Sequence, residues 1–189
     1  MAEETINEIK RQFHLYMDGV AAQSMRDKGV DYKINWGLKL GNLKQIAAQY
    51  EKSYELAIGL WKSNSRECKI LATMLMPPAE FPEDLAMLWM EQTPTVEIAQ
   101  YLAFFLVQHT DAATSLAFQW IASPSAIYQE CVYNALLGLF SQGRQPSFRD
   151  MQELIDQALA TRSHAAINCL NKLAGLSEEH EKIVEKALS

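Results

Sequence analysis

The sequence predicts an all-α protein built as an array of paired helices, and three observations carry that prediction. Apolar residues recur at three- and four-residue intervals from the first turn onward, as in Ile6, Ile9, Phe13, Met17 and Val20, which is the spacing that lines one face of a helix. No run of alternating, strand-forming residues closed by a glycine-rich hairpin turn interrupts the pattern. Third, the stretch from Leu60 through Arg66 to Leu75 reads as a helix end, a three-residue turn and a new helix, and amphipathic helices joined so tightly must lie antiparallel. The second helices of successive pairs centre near residues 70, 102, 133 and 168, steps of roughly 30 to 36. That period points to HEAT-like repeats forming an α-α superhelix, a curved solenoid; a four-helix bundle with additions is the architectural alternative.

Taken in order, the opening pattern predicts a helix of about five turns, ended by Lys28-Gly29. Val30 to Trp36 is a connector of mixed polarity, and Leu40, Leu43, Ile46, Ala47 and Tyr50 mark the next helix. Tyr54 to Trp61 forms a third. Asn64, with Glu67 three residues on, has the form of a capping box at the start of the fourth, which Pro77-Pro78 stops because neither proline donates a helical hydrogen bond. Pro82-Glu83-Asp84 begins another helix, with proline at its first position and two acids against the positive end of the dipole, running to about Gln92. After Thr93-Pro94, Val96 to His109 is apolar on most sides, as expected of a helix buried between neighbours. Asp111 to Ile121, Ala126 to Phe140, a helix opened by Ser147 with Asp150, Ser163 to Ala174 before Gly175, and a polar terminal helix behind Ser177 complete the array.

At 189 residues and 49% hydrophobic content the chain can bury a real core as one domain over residues 1–189. No apolar run is long enough to span a membrane, and Glu3 and Glu4 are unlike a signal peptide, so a soluble, cytoplasmic protein is expected. Cys68, Cys131 and Cys169 fall in helical patterns without metal-ligand spacing and are expected as buried free thiols. The net charge of −6 is unevenly spread: residues 1–70 hold 11 Lys/Arg against 9 Asp/Glu, residues 71–143 hold 0 against 7, and residues 144–189 hold 6 against 7. The middle segment cannot supply the cations that neutralise phosphates.

Most polar groupings have a structural reading. Glu83-Asp84 and Glu178-Glu179 sit at helix starts, where acids are expected, and His14, His109, His164 and His180 lack a nucleophile at readable spacing. Arg66 and Glu67 read as an ion pair or caps between repeats before a DNA contact, and Met74, Met76, Met87, Trp89 and Met90 as core before an adaptable binding surface. Lys33, Lys39 and Lys44, interleaved with Tyr32 and Trp36, form the one concentrated basic stretch with aromatics and carry the nucleic-acid signal.

Leu60-Trp61-x-Ser63-x-x-Arg66-Glu67-x-Lys69-x-Leu71-Ala72, preceded by Ile34-x-x-Gly37-Leu38-x-x-x-x-Leu43-Lys44-x-Ile46-Ala47, resembles the N-terminal signature of the AlkD-type DNA alkylation repair family, and Trp120-Ile121-Ala122-Ser123 is similar to another of its recurring stretches. The resemblance implies a HEAT-repeat glycosylase that cradles duplex DNA on a concave, basic face and removes N3- and N7-alkylated purines without metal or other cofactor. It also places Val96 where the family has a tryptophan and Gln100 where it has the catalytic aspartate. The family's DNA-facing arginine falls near Cys131 and its second pocket tryptophan near Cys169, while Lys172 keeps the basic character of its position. Breaking an N-glycosidic bond builds positive charge on the sugar, which an ionised carboxylate stabilises, and aromatic faces hold the cationic base. Gln100, Val96 and Cys169 supply neither. Glu97 is the nearest carboxylate in sequence and the substitute to consider beside Gln100.

Three readings follow. In the first, and favoured, reading the protein is a divergent member without base-excision chemistry that binds DNA, alkylated or distorted, or a protein on its concave face. The second is an active glycosylase with a rearranged pocket using Glu97. The third is a protein-interaction scaffold. No metal, no cofactor and no membrane enter any of them.

Overall fold

The computed structural model describes residues 2–30 and 32–188. The described residues form twelve α-helices and two 3-10 turns, with no strand beyond one isolated bridge. None of these helices is long and apolar enough to cross a membrane. The chain divides into two compact units, Met1–Phe81 and Pro82–Ser189.

The first unit contains α1 (Ala2–Tyr16), α2 (Gly19–Asp27), α3 (Leu40–Ala47), α4 (Tyr54–Trp61) and α5 (Arg66–Leu75), then a 3-10 turn at Pro78–Glu80. α4 and α5 are the expected antiparallel pair; α1 packs on α4, and α3 on α5. The long opening helix predicted from periodicity is in fact two. Asp18 interrupts it: its carboxylate Oδ1 accepts the Ala21 N–H at 2.9 Å as the N-cap of α2, and its own N–H donates to the Trp36 carbonyl at 2.9 Å. Ile9 and Phe13 are buried, but Met17 and Val20 are 59% and 82% exposed, so the apolar period runs past the packed face.

The start of α5 also differs from expectation. Ser65, not Asn64, occupies the N-cap, and the connecting turn covers residues 62–65. The capping-box geometry expected of Asn64 and Glu67 does not form, because the helix starts one residue later and the Glu67 carboxylate turns to the N–H groups of Trp36 and Leu38.

The second unit contains α6 (Glu83–Glu91), α7 (Val96–Phe105), a 3-10 turn at Val107–His109, α8 (Ala113–Trp120), α9 (Ala126–Ser141), α10 (Phe148–Thr161), α11 (His164–Ala174) and α12 (Glu178–Leu188). α9 is its centre, flanked by α7, α8 and α11, and the fully buried Tyr133 marks the middle of that packing. Pro82 is the N-cap of α6 rather than its first helical residue. Ser147 and Ser163 open their helices as the sequence reading expected, and Ser53 and Thr95, which that reading did not name, do the same; each accepts a backbone N–H three residues on, a contact worth about 1 kcal/mol per helix.

α7 departs most from its sequence reading. It buries Ile98, Ala99, Leu102 and Ala103 on one side only and ends at Phe105, with Phe104 left 53% exposed. A helix that is apolar all round is therefore covered on one face and open on the other.

Candidate nucleic-acid interface

The residues of the N-terminal signature build a clamp on the connector that carries Lys33 and Lys39. Ile34 pairs with the turn before α5, its N–H donating to Asn64 O and its carbonyl accepting the Arg66 N–H at 3.0 Å. The Glu67 carboxylate then gathers the rest. Its Oε1 accepts the backbone N–H groups of Trp36 at 3.2 Å and Leu38 at 3.4 Å and the Arg66 guanidinium at 3.2 Å, while Oε2 accepts the Ser65 hydroxyl at 3.1 Å. Arg66 Nη1 also donates to the Leu38 carbonyl at 3.0 Å. The two side chains are 4% and 0% exposed, so this is a buried, hydrogen-bonded ion pair, as the sequence reading of Arg66 and Glu67 expected.

The clamp leaves Lys33 and Lys39 exposed on the connector and Lys44 exposed in the last turn of α3. The interleaved aromatics do not accompany them. Tyr32 is buried, and Trp36 packs against Phe13 and, edge-on at 4.6 Å between ring centroids, against His14. What remains of the nucleic-acid signal is charge on a fixed backbone, not a stacking platform.

Lys69, the last basic residue of the signature, turns back onto α4. Its Nζ donates to the Trp61 carbonyl at 3.1 Å and lies 4.1 Å from the centroid of the Trp61 ring. A cation on the closing carbonyls of a helix and over an indole face is favourable. Loss of water nevertheless pushes its ammonium down to about 8 from the ordinary 10.5. With the folded value below the unfolded one, the unfolded chain holds the extra proton between them, so Lys69 makes stability rise with pH from about 8 to about 10.5. An NMR titration of the lysine side chains should show Lys69 turning over near pH 8, and Lys69→Met should remove that part of the stability slope.

In the second unit, Val96 and Gln100 both lie on the open face of α7, and Glu97 is half-buried in its first turn. Gln100 is engaged. Its Nε2 donates to Glu130 Oε1 at 3.2 Å, and the same oxygen accepts Asn134 Nδ2 at 2.8 Å. Glu130 is the residue that sequence reasoning missed. It stands 30 positions after Gln100, one repeat step, and Asn134 follows it by one helical turn; those two intervals were the available signal. Cys131 and Cys169 are buried, and loss of water pushes both thiols up to about 12, so neither presents a group to a ligand. Lys172 is exposed on α11. Lys33, Lys39 and Lys44 thus belong to the first unit, and Lys172, Glu97, Gln100 and Glu130 to the second.

Paired helices repeating at this step, with one second helix hydrogen-bonded to the next through Gln100 and Glu130, define a HEAT-like repeat protein. Residues 9–189 match the DNA alkylation repair enzyme family, and the chain belongs to it. The fold is also that of a solved structure described as a new family of proteins related to the HEAT-like repeat DNA glycosylases with affinity for branched DNA structures: the TM-score is 0.78 at 17% sequence identity, covering 96% of this chain and 82% of the other. No curated protein sequence matches closely enough to count as a relative.

Proposed function

We propose that the protein is a DNA-binding member of the alkylation repair family that lacks base-excision chemistry. The observation that carries this reading is Gln100. A neutral amide replaces the carboxylate that a glycosylase needs beside the developing sugar cation, and that amide is spent as a donor to Glu130. Val96 has no π-face to hold a cationic base. Lys33, Lys39 and Lys44 supply phosphate contacts from the first unit and Lys172 from the second, and the affinity of the structural relative for branched DNA supports a distorted or branched duplex as the ligand.

Binding of a four-way junction and of a linear duplex, titrated between about 50 and 200 mM salt, tests the reading together with release of methylated purines from alkylated duplex. Salt-sensitive binding without release is expected. Replacing Lys33, Lys39 and Lys44 with Ala should weaken binding to all sequences alike and lower the salt slope by about 1 per lysine. Release above background would overturn the non-catalytic assignment.

A second reading has one observation in its favour. Glu130 brings a carboxylate within 3.2 Å of Gln100, so a glycosylase with a rearranged pocket would have Glu130 available as well as Glu97. Loss of release in Glu130→Ala or Glu97→Ala, in a protein that shows release, would establish it and identify the residue.

A further inference from the structure

We propose that the exposed apolar corner between α1 and α2 is a base-contacting surface, on which Leu15, Met17 and Val20 cover the open face of a base pair at a DNA branch point while the connector lysines hold the phosphates beside it. Recognition of this kind rests on the DNA-binding reading above and deepens it, because it names the part of a branched molecule that the first unit contacts.

Leu15 is 77% and Val20 82% exposed, with Tyr16 and Met17 between them also open to solvent. An exposed apolar side chain is ordinary on its own, but four within six positions of one helix joint form a patch that a ligand can cover. The joint is firmly held. Asp18 caps α2 through its carboxylate, donates its N–H to the Trp36 carbonyl at 2.9 Å and accepts the Ala22 N–H on its own carbonyl at 3.0 Å. The Trp36 ring packs against Phe13 and His14 of α1. Side chains carried on so fixed a backbone lose little further freedom when they are covered.

The same tryptophan ties the corner to the basic connector. Lys33 and Lys39, both exposed, stand three residues either side of Trp36, so their backbones lie no more than about 11 Å from it. Residues 10–40 hold 6 Lys/Arg against 3 Asp. Of those acids, Asp18 accepts the Ala21 N–H and Asp27 the Gln23 side-chain amide. The charge around the apolar corner therefore suits a polyanion and disfavours a basic partner.

A polyanion that also offers flat apolar surface is a nucleic acid with unstacked bases. In a linear duplex every base face is already covered by its neighbour, and an aliphatic side chain must prise two pairs apart to reach one. At an open branch point the pairs that close each arm have lost a neighbour, so the same side chain meets an apolar face without that cost. An anionic bilayer also joins negative charge to apolar matter, but a helix that anchors in a membrane surface lays its whole apolar face there. Here α1 spends Ile9 and Phe13 inside the protein, and the exposed residues crowd at a joint. That shape fits the small gap at a branch better than a plane.

The test uses the full-length protein with a labelled four-way junction, in magnesium-free buffer so that its arms stay unstacked, and a linear duplex of the same length, both read by fluorescence anisotropy at one moderate salt concentration. Met17→Gln with Val20→Gln should weaken junction binding about tenfold or more, since two apolar side chains lose their burial, and should leave duplex binding within about twofold. Both positions are exposed, so the thermal unfolding midpoint should hardly move. Met17→Leu with Val20→Ile keeps the apolar surface and should keep the preference for the junction. The native protein should change the fluorescence of 2-aminopurine placed beside the branch, and the Gln variant should not. Equal effects of the Gln variant on junction and duplex, or none on either, would overturn the base contact while leaving DNA binding in place. Failure of the native protein to bind either DNA would overturn the DNA reading itself and the base contact with it. Binding to vesicles of phosphatidylserine and phosphatidylcholine that the Gln variant loses would put a lipid surface on the corner instead, and a dimer in sedimentation that the Gln variant disperses would put a second copy of the chain there; either would overturn the proposal.

Discussion

Glu67→Ala should destabilise the protein by about 3–5 kcal/mol, measured as a shift of the chemical-denaturation midpoint, because it removes one partner of a buried, hydrogen-bonded ion pair. Arg66 is 4% exposed and its guanidinium lies 3.2 Å from the Glu67 carboxylate. Removing the carboxylate also takes the acceptor from the N–H groups of Trp36 and Leu38 and from the Ser65 hydroxyl. Each donor left buried and unpaired costs about 1–3 kcal/mol on its own account unless water reaches it. Against a typical total of about 5–15 kcal/mol, the loss is large enough to leave the variant partly unfolded at body temperature. Removing both charges, as Arg66→Met with Glu67→Leu, should cost less than the sum of the single changes, since the two side chains belong to one hydrogen-bonded network and each single change disturbs the other. If Glu67→Ala behaved like a surface change of a few tenths of a kcal/mol, the clamp would not be what orders the connector.

The helices were legible wherever a local signal and the tertiary structure agree. Ser147 with Asp150, and Ser163 ahead of the apolar run through Leu170 and Leu173, both name a cap and a buried face, and both are found as read. Disagreement arises where a distant partner claims a residue that local rules assign elsewhere. Met17 and Val20 continue the apolar period of Ile9 and Phe13, yet Asp18 ends the helix because its N–H is wanted by Trp36, eighteen residues on. Asn64 and Glu67 have capping-box spacing, but Glu67 has two N–H donors from the connector and the Arg66 guanidinium to satisfy and serves those instead. The candidate site shows the same division. The loss of a carboxylate at position 100 is a matter of residue identity and is readable from sequence. The arrival of Glu130 beside Gln100 depends on how two helices one repeat apart face each other, which no single helix pattern specifies.

Gly37→Ala is the second large effect, and it separates two ways in which the connector lysines could act. Gly37 has φ +73°, in the left-handed region that costs a side chain about 1–2 kcal/mol. A Cβ there would stand 2.1 Å from the Asp18 carbonyl oxygen and 3.0 Å from the Ala22 nitrogen. Both are backbone atoms, and they are hydrogen-bonded to each other in the first turn of α2, so neither can retreat without loosening that helix start. Overpacking of this kind adds about 1–3 kcal/mol, giving an expected loss of about 2–5 kcal/mol by denaturant unfolding. Lys33→Ala with Lys39→Ala is the complementary change: it removes two exposed charges from the same connector and should alter stability by no more than about 0.5 kcal/mol for each substitution. The two variants therefore divide charge from placement. If phosphate contacts require the lysines where the clamp holds them, both variants should weaken junction binding, the glycine variant while keeping every charge and at a temperature where it is still folded. If Gly37→Ala binds with full affinity under those conditions, the lysines act through net charge alone, and the order that Glu67 and Gly37 impose on residues 32–38 serves the stability of the first unit rather than its grip on DNA.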